Sequence, residues 1–205
     1  MVKAVIFDIG NVLIEWQPER HYDAIIGETA RRAMFSQVDL HGMNDTVDRG
    51  GDLATEARKY AAAHPQWHDE ILRWHSDWHM MASPEIPHSV RLLRALRTKG
   101  VPVFALTNFG TGTFATAQKT YPFLQEFDKF YVSGAMKVIK PDTKIYQMVE
   151  ADCAIDPAQL LFTDDRADNI AAAAQRGWNT HLFEGPAGWA ARMVAEGLLT
   201  HSEAQ

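Results

Sequence analysis

Five short apolar, β-rich runs recur along the chain, at Lys3 to Ile9, Val101 to Thr107, Phe130 to Ser133, Leu160 to Thr163 and Thr180 to Phe183. Helical stretches separate the later ones. Ser89 to Lys99 places Val90, Leu93 and Leu96 on one face and stops at Gly100, and Ile170 to Gln175 follows the fourth run. This alternation restricts the chain more than any other pattern in it, because parallel strands need right-handed crossovers and the crossovers cover both faces of the sheet. The expected fold class is α/β, with a three-layer parallel-sheet core.

The stretch from Gln17 to Pro87 departs from that pattern. It has helical periodicity in Tyr22 to Met34, Asp52 to Ala63 and Trp67 to Met81, and no strand is expected in it. Because it leaves after the first strand and returns before the second, it should lie over the carboxyl ends of the strands, where open α/β sheets bind ligands. The expected division is a core from residues 1–16 and 88–205 and a small helical cap from 17–87, with Pro84 and Pro87 marking the return.

Bulk properties narrow the function. A chain of 205 residues suits one core with one insertion, and 46% hydrophobic content allows a sizeable core. A net charge of -6 without a basic tail disfavours nucleic-acid partners. No apolar run reaches the roughly 20 residues that span a bilayer, and the opening run breaks at Asp8, too early for a signal peptide. Cys153 is the only cysteine and suits a reducing compartment. A cytoplasmic protein without a membrane partner is expected, its oligomeric state left open.

Chemistry-bearing residues gather at four strand ends. Phe7-Asp8-Ile9-Gly10-Asn11 puts a carboxylate at the sheet's ligand edge, although a strand-ending Asp also caps turns. Thr107-Asn108 offers a hydroxyl and backbone N–H groups to an anion, or a helix N-cap. In Lys140-Pro141-Asp142, with Pro141 expected in the first turn of the next helix, a lysine sits by a positive dipole end, a poor place unless an anion binds; Lys137 is the nearby alternative. Asp164 and Asp165 are adjacent carboxylates whose repulsion a hard dication would relieve, with helix capping by Asp164 or Asp168 the other reading.

Taken together, carboxylate, hydroxyl, lysine and paired carboxylates in this order resemble the four motifs of the haloacid dehalogenase superfamily. The helical insertion resembles that superfamily's cap, and the Asp-x-Gly-Asn-Val form of the first motif resembles a branch that includes sugar-phosphate phosphatases. The resemblance implies a Rossmann-like core and a magnesium-dependent phosphomonoester hydrolase acting on a small sugar phosphate or related metabolite. Asp8 would be the nucleophile, Thr107 and the Asn108 backbone would hold phosphate oxygens, and Lys140 would steady the charge. Mg²⁺ would be bound by Asp8, the Gly10 carbonyl and Asp165, with Asp164 ligating or supporting.

One departure stands out. Phosphatases of this superfamily commonly carry a second Asp two positions after the nucleophile as general acid and base, and here that position is Gly10. Its loss costs about 10²- to 10⁴-fold unless the leaving group departs easily, as an anomeric oxygen does, or unless Glu15 or a cap histidine substitutes. The alternatives are a metal-independent 2-haloacid dehalogenase using the same Asp8 and a catalytically weak phospholigand-binding protein. His64/His68 and His75/His79 have i, i+4 metal-ligand spacing, but a solvated face is the stronger expectation; Trp67, Trp74 and Trp78 are expected in the cap core or its seam.

Overall fold

The computed structural model describes residues 1–205. The chain opens with β1 (Ala4–Phe7) and β2 (Ile14–Trp16), then runs through α1 (Pro18–Ile26), α2 (Glu28–Gln37), α3 (Leu40–Asp48), α4 (Leu53–Ala63), α5 (His68–Ser76) and α6 (Trp78–Met81). It returns through β3 (Ala82–Glu85) and α7 (Pro87–Thr98) to β4 (Val103–Thr107), α8 (Thr111–Thr120), β5 (Lys129–Val132) and α9 (Ser133–Met136). The remainder is α10 (Thr143–Cys153), β6 (Leu160–Asp164), α11 (Ala167–Gln175), β7 (Asn179–Leu182) and α12 (Pro186–Ala195).

The five expected strands form one parallel sheet in the order β5-β4-β1-β6-β7. The chain adds β4 and β5 on one side of β1, then crosses to add β6 and β7 on the other. The reversal flanks β1, and the ligand crevice of such a sheet lies outside the carboxyl ends of the strands at that point.

Alternation of side chains explains the three layers. In β1, Val5 and Phe7 join the apolar cluster of Leu93, Leu96 and Trp189, while Ala4 and Ile6 join that of Ile145, Tyr146 and Trp178. All four β1 residues are fully buried, as the continuous apolar run of a central parallel strand requires.

Two expectations need correction. The insertion carries a strand: Ala82–Glu85 pairs antiparallel with Ile14–Trp16, so a short ribbon joins the helical segment to the sheet. Pro141 lies outside the helical first turn, because Asp142 is the N-cap, its side chain accepting from Lys144 N at 2.9 Å, and α10 starts at Thr143. The helical segment is also more divided than its periodicity suggests. Gly27, at φ 81°, separates α1 from α2, Asp77 separates α5 from α6, and α3 was not expected at all.

Candidate active site

Each strand of the central trio delivers a polar residue to the same rim. Asp8 follows β1 and extends the ladder by donating its backbone N–H to Thr163 O at 2.9 Å. Thr107 ends β4 and Asp164 ends β6. Ligand oxygens of Asp8, Asp164 and Asp165 lie within 4.8 Å of one another.

Lys140 sits among them, only 2% exposed. Its ammonium is 2.9 Å from Asp8 Oδ1 and donates to Asp164 Oδ2 at 2.6 Å and to Leu106 O at 2.9 Å. A buried ammonium is costly unless paired, and here all three of its hydrogens find acceptors. Burial alone would lower the Lys140 pKa; Asp164 and Asp8 outweigh it and raise it. Asp8 is raised to about 7, chiefly by burial, with Asp164 and Asp165 adding to it against the pull of Lys140. Asp165 is raised as well, again mainly by burial. Three carboxylates face one ammonium, and the surplus negative charge of two suits one hard divalent cation.

The donor set separates by role. Asp164 is fully buried, and its two oxygens accept from Lys140 Nζ, Arg166 N and Asn169 Nδ2. Asp165 is half-buried and accepts only from Asn11 Nδ2, at 3.0 Å. Nothing lies within 4 Å of where a Gly10 Cβ would stand, so the backbone there faces open space.

Thr107 is 1% exposed and its hydroxyl has no hydrogen-bond partner, an orphan that an oxygen-rich ligand would satisfy. The Asn108 side chain is committed elsewhere: it donates to Lys140 O at 3.0 Å and accepts from Lys140 N at 2.8 Å. Lys140 stands in the loop between α9 and α10 rather than at the expected strand end, and these bonds tie that loop to the end of β4.

Above this rim lies a cleft of about 650 Å³. Its far wall comes from β2, α1, α3 and α6, with Glu15, Glu19, His41, Asp45, Asp48 and Trp78 among its residues. Trp78 packs edge-on against Phe109 at 5.3 Å, at the seam between the helical segment and the sheet, while Trp74 is buried among Trp16, Tyr22 and Phe35. His64, His68, His75 and His79 do not line the cleft; the last three are exposed. Lys137 points to Gly50 O at 3.3 Å and takes no place in it.

Three contributors were absent from the sequence reading. Asn11 adopts φ 55° and bridges Asp165 and the Trp16 N–H, Asn169 holds Asp164, and Asp48 is a buried carboxylate in the cleft wall. The Asn following Gly10 was the available signal for the first, since Asn tolerates the left-handed conformation better than most residues.

The sequence matches the haloacid dehalogenase-like hydrolase family across residues 2–177. The chain belongs to this family. The sesquiterpene phosphatase astK of Aspergillus oryzae is 30% identical over 83% of this haloacid dehalogenase-like chain and 84% of its own. The D-ribitol-5-phosphate phosphatase of Bacteroides thetaiotaomicron is 22% identical over 92% and 95%. Drimenol cyclase drtB of Aspergillus calidoustus is 24% identical over 89% of this chain, which spans only 34% of that protein's length. Among solved structures, a haloacid dehalogenase family enzyme of Bacteroides thetaiotaomicron in complex with magnesium and inorganic phosphate superposes with a TM-score of 0.68 at 22% identity, covering 88% of this chain and 93% of its own.

Proposed function

We propose that this hydrolase cleaves phosphomonoesters of small polyhydroxylated metabolites, with Asp8 as the nucleophile. The observation that carries the reading is the convergence of Asp8, Lys140, the orphan Thr107 hydroxyl and Asp165 on one rim. Residues 17–87 serve as a cap over it.

Asp8, the Gly10 carbonyl and Asp165 would hold Mg²⁺; Asp164, saturated by its own hydrogen bonds, would support rather than ligate. The cation supplies charge neutralisation, which lets a carboxylate and a phosphate dianion approach. Lys140 orients Asp8 and opposes the charge that builds on the phosphoryl group. Asp8 attacks phosphorus, the ester oxygen leaves, and an aspartyl-phosphate remains for water to hydrolyse. Thr107 donates to a phosphoryl oxygen throughout.

The cleft wall favours a neutral, hydroxyl-rich remainder on the substrate. Glu15, Glu19 and Asp45 line it, while its arginine, Arg166, is already paired with Asp168 at 2.7 Å. A second anionic group would meet like charge there, and a purely apolar chain would strip water from these polar groups.

The test is phosphate release from a panel of sugar phosphates, prenyl phosphates and bisphosphates. Expected are activity with Mg²⁺, loss in chelator, preference for uncharged polyol substrates, and a fall to background in Asp8→Asn. Halide release from 2-haloacids in chelator would establish the dehalogenase alternative; magnesium-dependent binding without turnover would establish the binding protein.

A further inference from the structure

Gly10 leaves the proposed phosphatase without a proton donor for its leaving group, and the candidates in the cleft are few. Glu15 is held by Arg20 at 2.6 Å, and Glu19 pairs with an exposed His41 at 3.2 Å. Asp39 caps α3 by accepting from Gly42 N, and Asp45 is exposed.

Asp48 differs from all of these. It is the last residue of α3, 7% exposed, and lines the same cleft as Asp8. No basic side chain pairs with its carboxylate, which accepts from Asn44 Nδ2 at 3.0 Å. Its backbone is anchored to the sheet edge: Ser133 Oγ donates to Asp48 O at 2.7 Å and accepts from Phe109 N at 2.9 Å, two residues beyond Thr107. Nothing lies within 4 Å of where a Gly10 side chain would begin, and Gly10 lines the same cleft, so the missing second Asp leaves open space there.

We propose that Asp48, contributed by the helical segment, is the catalytic acid and base that the strand-borne motif lacks. The proposal rests on the phosphatase reading. In the first step Asp8 Oδ forms a bond to phosphorus, the bond from phosphorus to the ester oxygen breaks, and the Asp48 proton passes to that oxygen to give the free alcohol. In the second step the Asp48 carboxylate takes a proton from water as its oxygen bonds to phosphorus. The acyl-phosphate bond breaks, phosphate departs, and Asp8 is again a carboxylate and Asp48 an acid.

The electrostatics suit that duty. Burial, then the field of Asp45 and, more weakly, of Asp8, raises the Asp48 pKa to about 7 against the hydrogen bonds of Gly110 and Asn44. Asp45 lies on its own helix and Asp8 at the end of β1, while Lys137, beyond α9, is spent on Gly50 O and Arg49 is exposed. An acid poised near neutrality both gives and takes a proton efficiently.

Asp48→Asn keeps the size and the Asn44 contact and separates this role from a structural one. On alkyl phosphates its kcat/KM should fall about 10²- to 10⁴-fold. On p-nitrophenyl phosphate, whose leaving group needs no proton, the first step should survive and the second should stall, giving a burst of one equivalent of nitrophenolate per enzyme. Asp48→Glu should restore part of the alkyl-phosphate rate. Equal losses on both substrates without a burst, or unchanged rates, would overturn the proposal. Should Asp48→Asn misfold, the wild-type enzyme decides: kcat/KM nearly independent of leaving-group pKa is expected, and a steep dependence overturns it. Wild-type protein inert on every phosphomonoester would instead sink the phosphatase reading.

Discussion

Asp48 and Asp8 have carboxyl pKa values raised above those of the unfolded chain, to about 7 each. A raised carboxyl binds its proton more tightly in the fold, so its contribution to stability is full below the unfolded value near 3.8 and fades as pH rises through about 7. Metal-free protein is therefore expected to lose stability between about pH 4 and 7. Asp48→Asn, which has no charge to bury, should flatten that profile and be more stable than wild type above pH 7, as chemical denaturation across pH would measure. A destabilised carboxylate at this position is what a proton-transfer residue requires, and its removal trades activity for stability. Lys140 shows the opposite solution: equally buried, it is matched to acceptors on every hydrogen.

Among the elements, the loop from Thr107 to Gly110 depends on α9 for its shape. Gly134 N donates to Phe109 O at 3.0 Å, and a Cβ on Gly134 would stand 2.8 Å from Phe109 O and 2.9 Å from Thr111 N. Both are backbone atoms, so Gly134→Ala must displace the segment beside Thr107. About 1–3 kcal/mol of stability should be lost, with a larger proportional loss in turnover, measurable by urea denaturation beside steady-state kinetics. The helix α3 shows why part of the cleft was not legible in the sequence. Its nine residues include Gly42, Asn44, Asp45 and Thr46, poor helix formers, and so short a segment has little intrinsic helicity. Leu40, Met43 and Val47, buried in the main apolar cluster, supply by packing what propensity withholds. By contrast β1, β4 and β6 were readable because strands buried on both faces leave no choice but continuous apolar runs.

At the scale of the molecule, sheet and helical segment meet across the acidic cleft, and no helix is long and apolar enough to cross a membrane. Because folding brings Asp8 against the adjacent pair Asp164 and Asp165 and adds its repulsion to theirs, Mg²⁺ should stabilise the protein as well as activate it. At a hundredfold excess over its Kd the gain is about 2.7 kcal/mol, read as a rise in Tm that Asp165→Asn diminishes. The linear order of residues determined the alternating pattern, hence the parallel sheet, and the identity of the polar groups at its strand ends, since these follow from local periodicity and from what stands at the tip of each run. Tertiary structure alone decided that Asp164 is saturated while Asp165 is not, and that Asp48 from a distant helix lines the same cleft as Asp8. Burial, hydrogen-bond occupancy and electric field are properties of neighbours in space, which adjacency along the chain does not encode.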